Sequence, residues 1–274
     1  MAALSGAQAG AEQPARAARA ASGAGRTATS RARGGQGASR STREAAGTPR
    51  RRAALTREAI IEAALYLSSP EGGGSLTFAR LGQRLGADPT AVYRHFRDKD
   101  ELVLALTDVL IDEAIELAAR EGHPNDAWRE SLTAMAMAIR RVHLARPALA
   151  ALCAVRTTAS PSETESVERV IGLLHSAGLP VIDAAECYRM LLDLTLAFVQ
   201  VAATWLMLDP AAQAKDDAAW AVKYGLLPAN RFPLVHQSSA RLTELFRDDD
   251  KVFELVLATF LDGVAHRIEE HRRG

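Results

Sequence analysis

The segment Cys187–Leu208, CYRMLLDLTLAFVQVAATWLML, constrains the fold more than any other part of this chain. It has no Gly or Pro, and its charges are confined to Arg189 and Asp193, so it reads as the body of a helix spanning Ile182 to Leu208 that is apolar on nearly every side. Such a helix must be covered all round, by its own domain and by a second subunit. Polar residues break the apolar run well short of the roughly 18 consecutive apolar residues that mark a membrane span. The helix therefore belongs to a bundle and points to an all-α protein with no membrane partner.

The rest of the chain fits a bundle. Thr56 can cap a first helix whose apolar face is Ile60, Ile61, Ala64, Leu65 and Leu67, ended by Pro70 and Gly72 to Gly74. Thr77 caps a short second helix carrying Leu81 and Leu85, which Gly86 closes. Asp88 caps a third, with Pro89 at its first position, and Asp98 caps a fourth from about Lys99 to Arg120. Helical segments follow at Asn125–Ala145, after Pro147, at Ser162–Ala177 and at Ile182–Leu208. Residues 209–238, with Pro210, Gly225, Pro228 and Pro233, read as a loop or one short helix. Phe253, Leu257, Phe260, Leu261, Val264 and Ile268 mark a final amphipathic helix. No internal repeat or strand is evident.

Formal charge is zero over 274 residues, but it is divided. Residues 1–54 carry ten Arg against Glu12 and Glu44, a charge of +8, which leaves −8 on the remainder. The Arg/Ala/Gly-rich arm offers little apolar surface to offset the entropy of ordering, so it is expected to be disordered. It can serve as a solubilising tail, as a source of counterion-release affinity for DNA through Arg50, Arg51 and Arg52, or as a transit peptide. Residues 1–30 lack an apolar signal-peptide core, and Cys153 and Cys187 sit in separate apolar segments. Both observations point to a soluble cytoplasmic protein with reduced thiols.

Leu85–Leu102, LGADPTAVYRHFRDKDEL, carries the functional signal. Two short helices joined by a Gly turn form a helix-turn-helix if the outer face of the second can read bases. Val92 and Phe96 can pack inward with Leu81 and Leu85, which leaves Thr90, Ala91 and Arg94 facing outward near the helix start. A threonine hydroxyl and methyl, an alanine methyl and a guanidinium fork suit base edges in a major groove. Tyr93, His95, Lys99 and the hydroxyl of Thr77 are placed to donate to phosphates. The alternative is a half-buried Tyr and His beside a solvated charged face.

With these residues in register, TREAIIEAAL and SLTFARLGQRLGADPTAVYRHFRDKDEL resemble the first four helices of the tetracycline-repressor (TetR) family of bacterial transcriptional regulators. The resemblance implies base contacts from Thr90, Ala91 and Arg94, and backbone contacts from Thr77, Tyr93, His95 and Lys99. A common Arg of that family is Ala79 here, and Pro89 can contact DNA only through van der Waals surface. RFPLVHQSS followed by DDDKVFELVLATFLDGVAHRIE is similar to the end of the family's regulatory domain. That similarity implies a homodimer through four helices, two per subunit, here Ile182–Leu208 and Lys251–His271. It also implies a small-molecule cavity between the fourth to eighth helices, with Trp128, Met135, Ile139, His143, His175, Phe198 and Trp205 as candidate lining. Single histidines make no metal site, and no cofactor is implied.

The expected layout is an arm at 1–54, a helix-turn-helix domain at 55–104 and a ligand-binding and dimerisation domain at 105–274. The expected function is a ligand-responsive repressor on a palindromic operator, with residues 120–124 as the hinge. A DNA-packaging protein, or an interaction module on the same fold, is the alternative. An enzyme finds no support, since the chain has no Gly-rich phosphate loop, nucleophile elbow or HExxH.

Overall fold

The computed structural model describes residues 55–120, 127–223 and 226–273, which belong to one compact unit. The arm at 1–54, and residues 121–124 of the expected hinge, lie outside the described residues. Eleven α-helices and no strand occur among those described.

The first four helices begin where the sequence places their caps. α1 (Arg57–Ser68) starts at Thr56, whose hydroxyl accepts from the Ala59 N–H. α2 (Phe78–Leu85) starts at Thr77, accepting from Arg80 N–H, and ends at Gly86 in the left-handed conformation (φ 60°). α3 (Pro89–Val92) is capped by Asp88, which accepts from Thr90 N–H. It is only four residues long and continues through tight turns, with the N–H groups of His95 and Phe96 both bonded to the Val92 carbonyl. α4 (Lys99–Ala119) is capped by Asp98, whose side chain accepts from Glu101 N–H. Each cap satisfies a donor that the helix start would otherwise leave orphaned.

Ile60, Leu81, Val92 and Phe96 are fully buried in one core with Leu102, Leu106 and Leu110 of α4. Burying each such side chain contributes about 1.5–3 kcal/mol. The same core extends into Ala138 and Val142 of α5 (Trp128–Leu144) and into Leu149 and Cys153 of α6 (Pro147–Cys153). No break in packing therefore falls at residue 104. A second core joins α5 to α7 (Pro161–Ser176), α8 (Val181–Leu206) and α11 (Asp249–Arg273), centred on Leu132, Leu174, Leu191, Phe253 and Leu257.

Residues 209–238 depart from the expected loop or single short helix. They form α9 (Pro210–Lys223) and the start of α10 (Pro233–Arg247). Pro210 and Pro233 open these helices rather than break them, because a first-turn residue needs no N–H partner. The Asp209 carboxylate caps α9 by accepting from Ala211 N–H at 2.8 Å. α10 has no buried residue within this chain, although Leu234, Val235, Leu242, Leu245 and Phe246 recur at helical spacing.

α8 is long and apolar enough to cross a bilayer by length and composition. Within this chain one stripe is buried: Ala184, Cys187, Leu191, Thr195, Val199 and Ala202. Met190 and Val201, 44% and 67% exposed, lie on a second apolar stripe that this chain leaves uncovered. The sequence requires cover on both stripes, and a single chain supplies one.

Candidate nucleic-acid interface and ligand cavity

The face expected to read DNA is held from behind. Val92 and Phe96 anchor α3 and its following turns in the core, and Gly82 lets α2 pass close to the turn. A Cβ at Gly82 would stand 2.8 Å from the Ala87 carbonyl oxygen and 3.0 Å from the Pro89 nitrogen. Arg57 lies over the Phe96 ring at 4.1 Å, donates to the His95 carbonyl at 3.0 Å and pairs with Glu101 at 3.1 Å. Glu101 also accepts from the Arg97 backbone N–H at 2.9 Å. That bond, with those from Arg57 and the Arg97 side chain, holds the Glu101 carboxyl down at about 2. Three elements are thereby tied together at the start of α4.

On the outer side, Thr77, Thr90, Tyr93, Arg94 and Lys99 are exposed, and Ala91 and His95 are half-buried. The Thr90 hydroxyl donates to Asp88 at 2.6 Å, so it faces outward as an acceptor and a methyl. Tyr93 stands edge-on to Phe78, with centroids 4.6 Å apart, which fixes the ring while the residue stays 54% exposed. Arg94 and Lys99 have no hydrogen-bond or ion-pair partner among the described residues. Five of the seven residues expected to touch DNA are thus exposed, Arg94 and Lys99 among them as cations unspent by internal pairing. Arg57, Arg80 and Gly82 shape that face without belonging to it. Arg80 donates to the carbonyls of Gly72 and Ser75, at 2.6 and 2.9 Å, and fixes the approach to α2. The one hint of these in sequence is a glycine inside a short helix next to a turn.

Behind α4 lies a cavity of about 110 Å³ walled by α4, α5, α7, α8 and the end of α6. Met135, Ile139 and His143 line it. The other four expected lining residues stand elsewhere. Trp128 packs half-buried against the second core. His175 points outward and bonds the Leu179 carbonyl through Nδ1 at 2.8 Å, which secures the turn into α8. Phe198 packs on Phe253, with centroids 5.7 Å apart. Trp205 lines a separate cleft of about 730 Å³ beside α9, α10 and α11. Helical spacing places a residue on a face, but which neighbour meets that face depends on the bundle.

The cavity wall is apolar apart from a few groups. His143 Nδ1 donates to the Ile139 carbonyl at 2.8 Å, leaving Nε2 as an acceptor, and burial holds its pKa below the usual histidine range. Burial raises the Tyr188 phenol and pushes the Cys153 thiol up to about 11, so both stay protonated at neutral pH. Thr107, Arg156, Glu163, Ser166 and Thr195 complete the polar lining, and the sequence singled out none of the five. No cluster of three or more metal-ligating side chains occurs among the described residues.

An outward-facing helix-turn-helix joined through one long helix to a walled cavity defines a ligand-responsive DNA-binding regulator. The family pattern described as "Tetracyclin repressor-like, C-terminal domain" matches residues 121–268, and that of "Bacterial regulatory proteins, tetR family" matches residues 60–106. The chain belongs to the TetR family of bacterial transcriptional regulators. It is 27% identical over 227 residues to an HTH-type transcriptional repressor of Mycobacterium tuberculosis, covering 81% of this chain and 84% of that protein. It is 29% identical over 208 residues to the class A tetracycline repressor of transposon 1721 from Escherichia coli, covering 76% and 89%. Among solved structures, ActR of Streptomyces coelicolor in complex with actinorhodin is 27% identical with a TM-score of 0.65, covering 79% of this chain and 99% of that one.

Proposed function

We propose that the chain acts as a homodimer, binds a two-fold-symmetric operator through two copies of the α3 face, and is released when a small molecule occupies the cavity behind α4. The observation that carries this reading is the double duty of α4. Its first half supplies Leu102, Val103 and Leu106 to the core that anchors α3, and its second half supplies Ile111, Ala114 and Ile115 to the cavity wall. Ligand sites for drug-sized molecules span about 300–1,000 Å³, so an effector entering about 110 Å³ must part these helices. A rigid helix built into both places carries that displacement to the reading face. The effector favours release to the extent that it binds the parted state more tightly.

In this reading Thr90, Ala91 and Arg94 meet base edges, and Thr77, Tyr93, His95 and Lys99 meet phosphates. The uncovered stripe of α8 and the outer side of α11 supply the dimer face, which sets the two reading heads about 34 Å apart. Actinorhodin in ActR supports an organic effector for this cavity as well.

Selection of bound duplexes from random sequence, at physiological salt with nonspecific competitor, tests the proposal. Enrichment of a palindromic site is expected. A folded dimer that enriches nothing would overturn it. Val201→Asp on the uncovered stripe is expected to give monomers by analytical ultracentrifugation and to lose the palindromic site together with the dimer.

A further inference from the structure

Arg156 stands between the cavity and the reading head. It lines the cavity, and its backbone is fixed by the turn that ends α6, its N–H donating to the Cys153 carbonyl at 2.9 Å. Its guanidinium grips Asp100 in a two-pronged pair, with Nη1 on Oδ1 and Nη2 on Oδ2, the latter at 3.0 Å. Asp100 lies in the first turn of α4, next to Lys99 and beside Glu101, which ties α4 to Arg57 and Arg97. One side chain therefore touches both the cavity and the segment that carries the DNA-facing residues.

The electrostatics of the cavity select what could draw that side chain inward. Glu163 also lines it, but its Oε2 already accepts from the N–H and hydroxyl of Thr158, at 2.9 and 3.2 Å, and from Ala159 N–H at 2.6 Å. His143 is kept neutral by burial. Arg156 is then the one cation among the described lining residues. Its fork already holds a carboxylate in the geometry at which guanidinium recognition is strongest. The remaining wall, including Leu110, Ile111, Leu191 and Leu192, is apolar.

We propose that the effector is an apolar molecule bearing a carboxylate, and that its carboxylate displaces Asp100 from Arg156, so that effector capture and release of the first turn of α4 are one exchange. The inference rests on the regulator reading above and names the effector class and the trigger within it. The exchange needs little energy, because a partly exposed ion pair is worth little in place, and the carboxylate it loses is replaced by another. Arg156 thereby becomes the residue that distinguishes acids from neutral molecules of the same shape.

The test uses the full chain, its selected operator duplex, 2-naphthoate as the charged probe and 2-naphthamide as its planar neutral counterpart. Operator binding without any probe is measured first. Its absence refutes the regulator reading and is decided before the effector question arises. Given operator binding, naphthoate is expected to bind roughly tenfold or more tighter than the amide by calorimetry, and to lower operator affinity. Arg156→Gln should weaken naphthoate by roughly 10- to 100-fold while leaving the amide unchanged. Asp100→Asn, in a partly exposed position, removes the competitor from the other side. It should bind naphthoate about two- to fivefold more tightly, and operator binding should respond less to the probe than in the wild type. Equal binding of acid and amide, or operator release from the Asp100 variant as large as from the wild type, overturns the proposal.

Discussion

Replacing Gly82 by Ala separates two effects that sequence and structure weigh differently. Gly82 lies inside α2, where propensity favours Ala over Gly by about 1 kcal/mol. Sequence reasoning alone expects a more stable protein. The structure puts the new methyl 2.8 Å from the Ala87 carbonyl oxygen, 3.0 Å from the Pro89 nitrogen and 3.1 Å from Pro89 Cδ. The oxygen and nitrogen belong to the backbone of the turn, and Cδ belongs to a rigid ring, so none can swing aside like the end of a flexible side chain. Relief requires the turn to move by several tenths of an ångström, at about 1–3 kcal/mol for overpacking. With the propensity gain subtracted, the net loss is about 1 kcal/mol at the middle of that range, or roughly 2–4 °C in Tm for a chain of this size. Gly172→Ala is the control: it sits inside α7 with nothing within 4 Å of its added carbon, so it keeps the propensity gain and should raise Tm. The turn displaced at Gly82 carries Pro89 and Thr90, so operator affinity should fall for Gly82→Ala and stay unchanged for Gly172→Ala. Differential scanning calorimetry and fluorescence anisotropy on the selected operator measure both. If Gly82→Ala raises Tm as much as Gly172→Ala does, the close approach of α2 to the turn is not tight and the steric argument fails.

Three further outcomes follow from the geometry. Arg94→Ala should relax preference at one operator position by about 1–3 kcal/mol, read by repeating site selection with the variant; an unchanged preference removes Arg94 from the base-reading set. Glu101 has a carboxyl lowered from 4.5 to about 2 by bonds from Arg97 and Arg57, so its stabilising contribution is complete above about pH 4.5 and is lost as pH falls toward about 2. The Tm gap between wild type and Glu101→Gln should therefore hold steady near neutrality and shrink by about pH 3, and a gap that stays constant through this window contradicts the assignment. Ala159 adopts a left-handed backbone with φ 54°, a conformation that costs a residue with a Cβ about 1–2 kcal/mol. Ala159→Gly relieves that strain but frees the unfolded chain, so a net gain of up to about 1 kcal/mol is expected by chemical denaturation.

What the sequence determined by itself is local. Thr56, Thr77, Asp88 and Asp98 cap the first four helices because a side-chain oxygen reaches the N–H groups two or three residues on, whatever the rest of the chain does. Gly86 ends α2 because it enters the left-handed region without cost. Val92 and Phe96 turn inward because helical spacing puts them on one side, which leaves Thr90, Tyr93 and Arg94 outward. The composition of α8 likewise demands cover on two stripes. Tertiary structure alone decided what stands opposite each face. Met135, Ile139 and His143 meet the cavity while Trp128, His175, Phe198 and Trp205 do not, although Trp128 stands on the same helix at the same spacing as the three that do. Arg156 meets Asp100 across 56 residues, and Arg140, with its side chain 4% exposed, meets Asp249 and Asp250 across more than a hundred. Periodicity fixes direction relative to one helix axis, whereas these partners depend on how separate axes cross, and that is settled by packing the whole bundle at once.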